Sequence, residues 1–298
     1  MVRQYKIHTN LDGTDDKIWD VTNGKVRFYQ PSNLGLQSTN NIWQSNGVGV
    51  MGTRSITQPQ IEFKLETFGE SLSENYQLMK DFVNDILSKK FVTLEYQTEI
   101  FQVYADLALA DVTKTEGYGK NGTFSEKITF DIITKWYTYE NLTFDMIRNG
   151  KVIAGKSKIY GGIAPGDYKY IKGTSYTYYG ESNIERLSRW DIKDEIFSFM
   201  GILYPKLPKT PTGVRFLDDI GNEYTAIVFK TEESQDYILI NTDVNDETYQ
   251  GWKGTTALNL FPVMDFERYR TRIIEKGQME LINLSKAEFK IKRKADFV

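Results

Sequence analysis

The sequence contains no cysteine among its 298 residues and only one histidine, His8. Without thiols the chain can form neither disulfide bonds nor cysteine-ligated metal sites. A single histidine likewise excludes histidine metal clusters, and we expect His8 to be a surface residue near the N-terminus rather than a general base. The sequence therefore predicts no metal site and no catalytic residue.

Long apolar runs and a strong excess of one charge are also missing. No stretch approaches the roughly 20 apolar residues that a membrane span needs, and the first ten residues lack the apolar core of a signal peptide. The formal net charge is −3, whereas general nucleic-acid binding favours a strongly basic chain. We expect neither a membrane protein nor a reader of nucleic-acid sequence.

Aromatic residues are abundant, with 19 Tyr, 17 Phe and 5 Trp. Tyr and Phe favour strands, and aromatic side chains also anchor interfaces. Apolar and charged residues alternate over residues 60–66, which predicts a half-buried strand with an inner face of Ile61, Phe63 and Leu65. The chain is expected to be mainly β.

One helix is expected after this strand. Ser71 and Glu74 have the spacing of a capping box. Apolar residues then recur at helical intervals on one predicted face, namely Tyr76, Met79, Val83 and Ile86. This face is too short for a coiled coil, so residues 1–140 are predicted to form a β domain with one packed helix.

The second domain, residues 141–298, is predicted to be a β-sandwich or jelly roll, because its candidate strands are short and separated by turns. These strands are Val214–Leu217, Tyr224–Lys230, Tyr237–Asn241, Ala257–Phe261, Thr271–Glu275, Met279–Leu284 and Ala287–Arg293. Its first part, residues 141–180, is net basic and holds 7 of the 23 Gly and 6 of the 19 Tyr. We interpret that part as an extended projection; the alternative is a solvated insertion without a role.

Residues 18–57 show little periodicity and are rich in Asn, Gly, Ser and Gln. Such a segment could be a long loop or an arm that orders against another subunit, and Trp43 favours the arm. Gly47, Gly49 and Gly52 form a GxGxxG pattern, but the next residues lead into a strand. A dinucleotide site needs a helix N-terminus to hold the pyrophosphate, so we expect a flexible loop and no cofactor.

The charged clusters offer little chemistry. Asp243–Glu247 is rich in oxygen ligands but lacks the glycine and distal glutamate of an EF-hand, which favours an acidic turn over a calcium site. Adjacent carboxylates such as those at 218–219 cannot face each other across a substrate. The basic run Lys286–Lys294 alternates with Phe289 and Ile291, which predicts the solvent-facing side of the last strand.

The order of these features resembles the distal tail proteins of long-tailed, non-contractile phages, especially those of lactococcal phages. The matching stretches are Pro31–Gly35, Ile61–Phe63, the helix Tyr76–Leu87, Ile128–Tyr137 with its Trp136-Tyr137 pair, and the strands that end in Phe289–Val298. The resemblance covers nearly the whole chain and rests on pattern and order.

This resemblance implies an N-terminal, ring-forming domain related to tail-tube proteins and a C-terminal, galectin-like β-sandwich. It implies a hexameric ring in the virion, assembled in the host cytoplasm, which joins the tail tube to the tail tip. The implied partners are further copies of the chain, the tail tube protein, a tail-associated protein at the tip and the receptor-binding protein.

Two candidate surfaces follow. The oligomer interface is assigned to apolar residues of the segment 18–57, namely Leu34, Leu36, Ile42 and Trp43. The projection is expected to dock the receptor-binding protein, because Tyr offers a large contact area at low entropic cost. Its candidate residues are Tyr160, Tyr168, Lys169, Tyr170 and Tyr176.

Two other classes of function compete with this assignment. A carbohydrate-binding host-recognition module is the main alternative, because galectin-like folds suggest sugar binding. An enzyme such as a wall hydrolase would need a convergent acid and base, which the sequence does not offer.

Overall fold

The structure is a computed structural model that describes residues 3–13, 15–35, 37–57, 60–114, 125–148, 151–152, 158–160, 186–271 and 273–295. The chain divides into two units, one of Met1–Thr138 with Ala295–Val298 and one of Tyr139–Lys294. Strands dominate both units, and the described residues contain one α-helix. The predicted mainly-β fold is confirmed.

The first unit is a curled antiparallel sheet with a helix. Its elements are β1 (Gln4–His8), β2 (Ile18–Asp20), β3 (Val26–Ser32), β4 (Gln37–Ser45), β5 (Val48–Thr57), β6 (Gln60–Thr67), α1 (Leu72–Leu87), β7 (Val92–Gln97), β8 (Gln102–Thr113) and β9 (Ser125–Ile132). Seven strands pair in the order β3-β6-β9-β8-β7-β1-β2, while β4 and β5 form a separate two-stranded sheet. The two edge strands of this sheet, β2 and β3, approach each other. The amide of Phe28, in β3, donates to the carbonyl of Val21, the residue after β2, at 2.7 Å.

The core of this unit follows the predicted alternation in β6. Ile61, Phe63 and Leu65 are almost completely buried, as predicted. The Phe63 ring lies 4.7 Å from Phe28 and 5.5 Å from Tyr5, so it joins three strands of the sheet.

The helix begins where the sequence predicted, and three of its four predicted inner residues pack against the core, namely Met79, Val83 and Ile86. The Ser71 side chain accepts a hydrogen bond from the amide of Glu74, which confirms the cap. Phe82 and Ile86 are buried, whereas Tyr76 is 62% exposed. The predicted inner face was therefore wrong at Tyr76. The buried positions 75, 82 and 86 share one side of the helix, and residue 76 lies about 100° around the axis from position 75.

The second unit is a sandwich of two sheets. Its elements are β10 (Tyr137–Arg148), β11 (Lys151–Val152), β12 (Lys158–Tyr160), β13 (Arg186–Ile192), β14 (Ile196–Pro205), β15 (Thr212–Leu217), β16 (Glu223–Phe229), β17 (Tyr237–Asn241), β18 (Thr248–Lys253), β19 (Thr256–Asn259), β20 (Gly277–Ile282) and β21 (Leu284–Lys294). One sheet has the order β19-β18-β17-β14-β21-β10 and the other the order β13-β20-β15-β16. Phe199, Phe216 and Phe289 belong to the core that both sheets share.

Two predictions about this unit need correction. Thr271–Glu275 contains no described strand; Ile274 only forms an isolated bridge with Ile196. The strand predicted to reach Phe261 ends at Asn259, and a 3₁₀ turn, Phe261–Val263, follows. Pro262 lies in that turn. Because proline has no backbone N–H, it cannot donate a hydrogen bond to a neighbouring strand, and the strand ends before it.

The start of the predicted projection belongs to the sandwich. Residues 141–148 lie in β10, and Phe144 is buried in the sandwich core. Residues 149–150, 153–157 and 161–185 lie outside the described residues. The prediction of a projecting segment thus concerns a shorter stretch than 141–180.

Candidate assembly surfaces

Strands β4 and β5 form an antiparallel hairpin with a two-residue turn. Trp43 pairs with Val50, and Ser45 pairs with Val48. The turn residues Asn46 and Gly47 have φ angles of 48° and 80°. Positive φ at both turn positions is the geometry of a type I′ turn, for which Asn-Gly is the preferred sequence.

The hairpin exposes large apolar side chains, which no described residue of the chain covers. Every side chain from residue 38 to residue 54 is exposed. The large apolar ones are Ile42, Trp43, Val48, Val50 and Met51, with exposed fractions of 54%, 68%, 67%, 60% and 48%. By the register Trp43, Val48 and Val50 share one face of the hairpin, and Ile42 and Met51 share the other. A two-stranded hairpin is marginally stable by itself in water, and exposed apolar patches mark interaction sites.

The residues predicted for the oligomer interface differ in how exposed they are. Ile42 and Trp43 lie on the exposed hairpin. Leu34 is only 8% exposed and packs in the core of the first unit, so its own domain covers most of it. Leu36 lies outside the described residues.

The GxGxxG pattern is part of this hairpin, which corrects the expected flexible loop. Gly47 lies in the turn, and Gly49 and Gly52 lie in β5. A Cβ atom at Gly52 would lie 3.2 Å from Nε1 of Trp43, so glycine leaves room for the indole against β5. The Asn46-Gly47 dipeptide is a strong hairpin signal that the sequence analysis missed.

The residues predicted to dock the receptor-binding protein lie almost entirely beyond the described part. The backbone of Tyr160 belongs to β12, which pairs in parallel with β10. The Tyr160 side chain lies outside the described residues, as do Tyr168, Lys169, Tyr170 and Tyr176.

A row of aromatic side chains crosses the face of the second unit's larger sheet that points away from the core. Tyr204 of β14 lies 6.4 Å from Tyr237 of β17, whose ring stacks 6.0 Å from Trp252 of β18. The ammonium of Lys286, on β21, lies 5.2 Å from the Tyr204 ring centroid. Neighbouring residues Leu203 and Ile238 point into the core, which places this row on the opposite face.

The same face carries a groove of about 530 Å³. Its apolar lining includes Met200, Ile202 and Leu239. Met200 and Ile202 lie on β14, the strand of Tyr204, and Leu239 lies on β17, the strand of Tyr237. The polar residues around it include Asn141, Asn241, Asp246, Glu288 and Lys290. Its volume lies within the range of roughly 300–1,000 Å³ that small-ligand sites occupy.

His8 is buried in a cluster of charges, which corrects the expected surface position. It is 5% exposed, with Nδ1 2.6 Å from Asp16 Oδ2 and Nε2 2.9 Å from Glu95 Oε2. Lys6 Nζ lies 2.9 Å from the other Glu95 oxygen. The N-terminal residues form β1 and pair with β7, which brings His8 to Glu95 over 87 positions of sequence.

The cluster changes the acidity of both its central groups. Burial by itself would lower the pKa of His8, but hydrogen bonds and attraction to Glu95 and Asp16 raise it above the ordinary value. The hydrogen bond from His8, aided by Lys6 and opposed by burial, lowers the pKa of Glu95 to about 2. A protonated His8 therefore links β1 to the turn before β2 and to β7, as a structural ion cluster.

The acidic turn and the basic strand are joined by a buried ion pair. Lys292 is 4% exposed, and its Nζ lies 2.8 Å from Asp243 Oδ2. The predicted solvent-facing position was therefore wrong for Lys292. Asp246 accepts a hydrogen bond from Asn241, and Glu247 accepts one from Tyr249, so the carboxylates of this turn are engaged within the unit.

Two features are absent from the described residues. No group of three or more His, Cys, Asp or Glu side chains there is arranged to hold a metal ion. No helix in that part of the chain is long and apolar enough to cross a lipid bilayer.

Known proteins match this chain over its whole length. Residues 4–133 match the family described as "Distal tail protein, N-terminal domain", and residues 135–298 match "Dit, C-terminal domain". The distal tail protein of Lactococcus phage p2 is 95% identical and that of Lactococcus phage SK1 92% identical, each over all of both chains.

Solved structures agree with this match. A chain of the phage p2 baseplate in its activated conformation with Ca is 95% identical, with a TM-score of 0.78 over all of both chains. The phage SPP1 Dit protein is 9% identical, with a TM-score of 0.54 over 99% of this chain and 100% of that one, and shares the fold. The chain therefore belongs to the distal tail protein (Dit) family and is a structural protein of the phage tail. The resemblance seen in the sequence is confirmed.

Proposed function

We propose that this chain is the hub of a phage baseplate and assembles into a hexameric ring that joins the tail tube to the tail tip. The observation that carries the proposal is the hairpin β4–β5, whose large apolar residues stay exposed among the described residues of their own chain. The phage p2 baseplate structures, which hold a 95% identical chain, support the same location for this protein.

In this proposal residues 1–140 form the ring and residues 141–298 form an outer, galectin-like domain. The ring contacts the tail tube protein on one side and a tail-associated protein on the other. A closed ring uses a heterologous interface, in which two different surfaces of each subunit meet. The hairpin, with Ile42 on one face and Trp43 on the other, supplies one of these surfaces.

Mass measurement tests the ring. Native mass spectrometry of the purified chain is expected to show six times the 34.5 kDa chain mass. The variant Trp43→Ser/Val50→Ser should be monomeric, since it removes the cross-strand pair at the centre of the apolar surface. The control Ile220→Ser changes a side chain that is 83% exposed in the other unit and should keep the ring. A monomeric wild type at high micromolar concentration would contradict the proposal.

The Tyr-rich segment after β10 is proposed to hold the receptor-binding protein. Replacing residues 153–183 by a Gly-Ser linker should abolish capture of that protein and spare the ring. The replacement begins after β10 ends and therefore leaves that strand intact. This matters because Leu142 and Phe144 of β10 contact the sandwich core. Unchanged capture by the linker variant would exclude the segment as the docking site.

The groove on the second unit favours a second candidate function, carbohydrate binding. Its apolar floor suits the C–H face of a sugar ring, and the carboxylate, amide and ammonium groups around it suit hydroxyls. Titration of cell-wall polysaccharide into the protein should release heat that the variant Ile202→Lys/Leu239→Lys loses, while Ile220→Ser retains it. Equal signals from all three proteins would eliminate the groove as the sugar site.

A further inference from the structure

The groove and the aromatic row of the second unit lie on one face of the larger sheet. Tyr204, Ile202 and Met200 alternate along β14 with Leu203 and Phe199, which belong to the sandwich core. Their cross-strand neighbours on β17 are Tyr237, Leu239 and Asn241. We call these outward-facing residues of β14 and β17 the outer strip. Residues 200 and 204 lie about 13 Å apart at roughly 3.3 Å per residue, so the strip extends from the groove to the aromatic row.

The end of the outer strip at the groove is polar and held in place. The side chain of Asn241, which is 9% exposed, donates a hydrogen bond to Asp246 at 3.2 Å and accepts one from the amide of Asp243 at 3.1 Å. Asp243 in turn forms the buried ion pair with Lys292. Groups that are fixed before a ligand arrives lower the entropic cost of binding it. This end is therefore suited to orient a polar ligand.

The other end of the outer strip is aromatic. The Tyr237 ring lies 6.4 Å from Tyr204 and 6.0 Å from Trp252, measured between ring centroids. The lining of the groove reaches Ile202 and Leu239, one outward position short of this row on each strand. A ligand confined to the groove does not touch the row, whereas a longer ligand contacts both ends of the strip.

The charges around the outer strip balance each other. Lys286 pairs with Glu288, and Lys290 Nζ lies 3.9 Å from the centroid of the Tyr139 ring. Asp246 is the second carboxylate in the lining of the groove. Two cations and two carboxylates leave no net charge, which favours a neutral ligand over an anionic polymer that needs an excess of cations.

We propose that a neutral glycan chain binds along the outer strip, with one sugar in the groove and the following sugars on the aromatic row. This inference rests on the proposed carbohydrate binding at the groove and adds the length and the charge of the ligand. The hydroxyls at the rim of a sugar ring suit the amide and carboxylate end, and its C–H face suits the aromatic surface. A chain of sugars presents both features along its length, as the outer strip does.

Glycan fragments of different length test the proposal. Partial acid hydrolysis of neutral cell-wall polysaccharide from the host bacterium gives fragments of one or two sugars and fragments of six or more, and calorimetry measures their affinities. Wild type should bind the long fragments roughly 10-fold or more tightly, because only these reach the aromatic anchors. Equal affinity for both lengths would overturn the proposal and leave the groove as a sugar site, whereas no binding of either would refute carbohydrate binding itself.

A variant of the aromatic row sharpens this test. Tyr204→Thr/Tyr237→Thr removes two of its rings and keeps residues that favour strands. It should lose the preference for long fragments and bind the short ones as wild type does. The control Tyr29→Thr removes a partly exposed tyrosine from β3 of the first unit and should keep the preference. A row variant that still prefers long fragments would exclude the row, and tighter binding of an anionic, phosphate-bearing wall polymer by wild type would overturn the neutral assignment.

Footprinting of the unmodified protein gives a reading that needs no variant. Hydroxyl-radical oxidation followed by mass spectrometry measures the accessibility of individual aromatic side chains. Saturation with long fragments should suppress oxidation of Trp252 and Tyr237, while fragments of one or two sugars should not. Trp43, which lies in the first unit and is 68% exposed, should be oxidised equally with and without the fragments. Bound long fragments that leave Trp252 and Tyr237 as reactive as before would place the chain elsewhere.

Discussion

Strand β6 and the hairpin before it place their apolar residues in opposite environments. In β6 every second side chain is buried in the core of the first unit, with Phe63 between Phe28 and Tyr5. In the hairpin Trp43 and Val50 pair across the strands, yet both remain more than half exposed. The difference separates a stretch that forms the core of the first unit from one that leaves its large apolar side chains exposed. Four variants test this difference.

The largest effect is expected from truncating the core strand. Phe63→Ala should lower the free energy of unfolding by about 3–5 kcal/mol, because it removes a buried aromatic ring and leaves a cavity. Urea unfolding of the full chain followed by circular dichroism measures this. A loss below about 1 kcal/mol would mean that β6 is not part of the stabilising core.

A pH-dependent effect is expected at the buried charge cluster. His8→Gln should cost about 1–3 kcal/mol near pH 5.5, where His8 is protonated and Glu95 is ionised. The pKa of His8 is raised in the folded state, so its contribution is full below about pH 6.5 and is lost as the pH rises through the folded-state pKa. The Glu95 contribution is present above about pH 4.5 and is lost as the pH falls towards about 2. Unfolding at pH 5.5 and pH 9 measures the difference, and an equal cost at both values would contradict the assignment.

A local effect is expected at the hairpin turn. Gly47→Val should destabilise the hairpin by about 1–2 kcal/mol, because Gly47 has a positive φ that a branched residue rarely adopts. Hydrogen exchange in residues 37–57 should accelerate while the core strands stay protected. The matched control is Gly35→Val, since an added Cβ there also meets nothing within 4 Å and Gly35 lacks the positive φ. Equal acceleration in both variants would argue against the turn geometry.

The smallest effect on folding is expected at the most exposed aromatic residue of the hairpin. Trp43→Ser should change the unfolding free energy of the monomer by no more than about 0.5 kcal/mol, since the side chain is 68% exposed. Dilute urea unfolding of this variant and of the Phe63→Ala variant completes the comparison. A large loss of monomer stability would mean that Trp43 belongs to the fold rather than to an interface.

Local patterns predicted a good part of the fold. The alternation in β6, the Ser71 cap and the strand Tyr237–Asn241 agree with the structure because each depends on neighbours in sequence. The helix face was misjudged only at Tyr76, since Tyr76 and Phe82 are both compatible with helical spacing and only the packed sheet selects between them. The hairpin was missed although its Asn46-Gly47 turn is a local signal.

The sequence by itself determined the mainly-β composition, the capped helix, the absence of cysteine chemistry and membership of the distal tail protein family. The tertiary structure alone decided that His8 meets Glu95, that Lys292 meets Asp243, and that Trp43 stays exposed while Leu34 is buried. The reason is physical. Caps and alternation depend on residues a few positions apart, whereas ion pairs and burial depend on strands that pair across tens of residues.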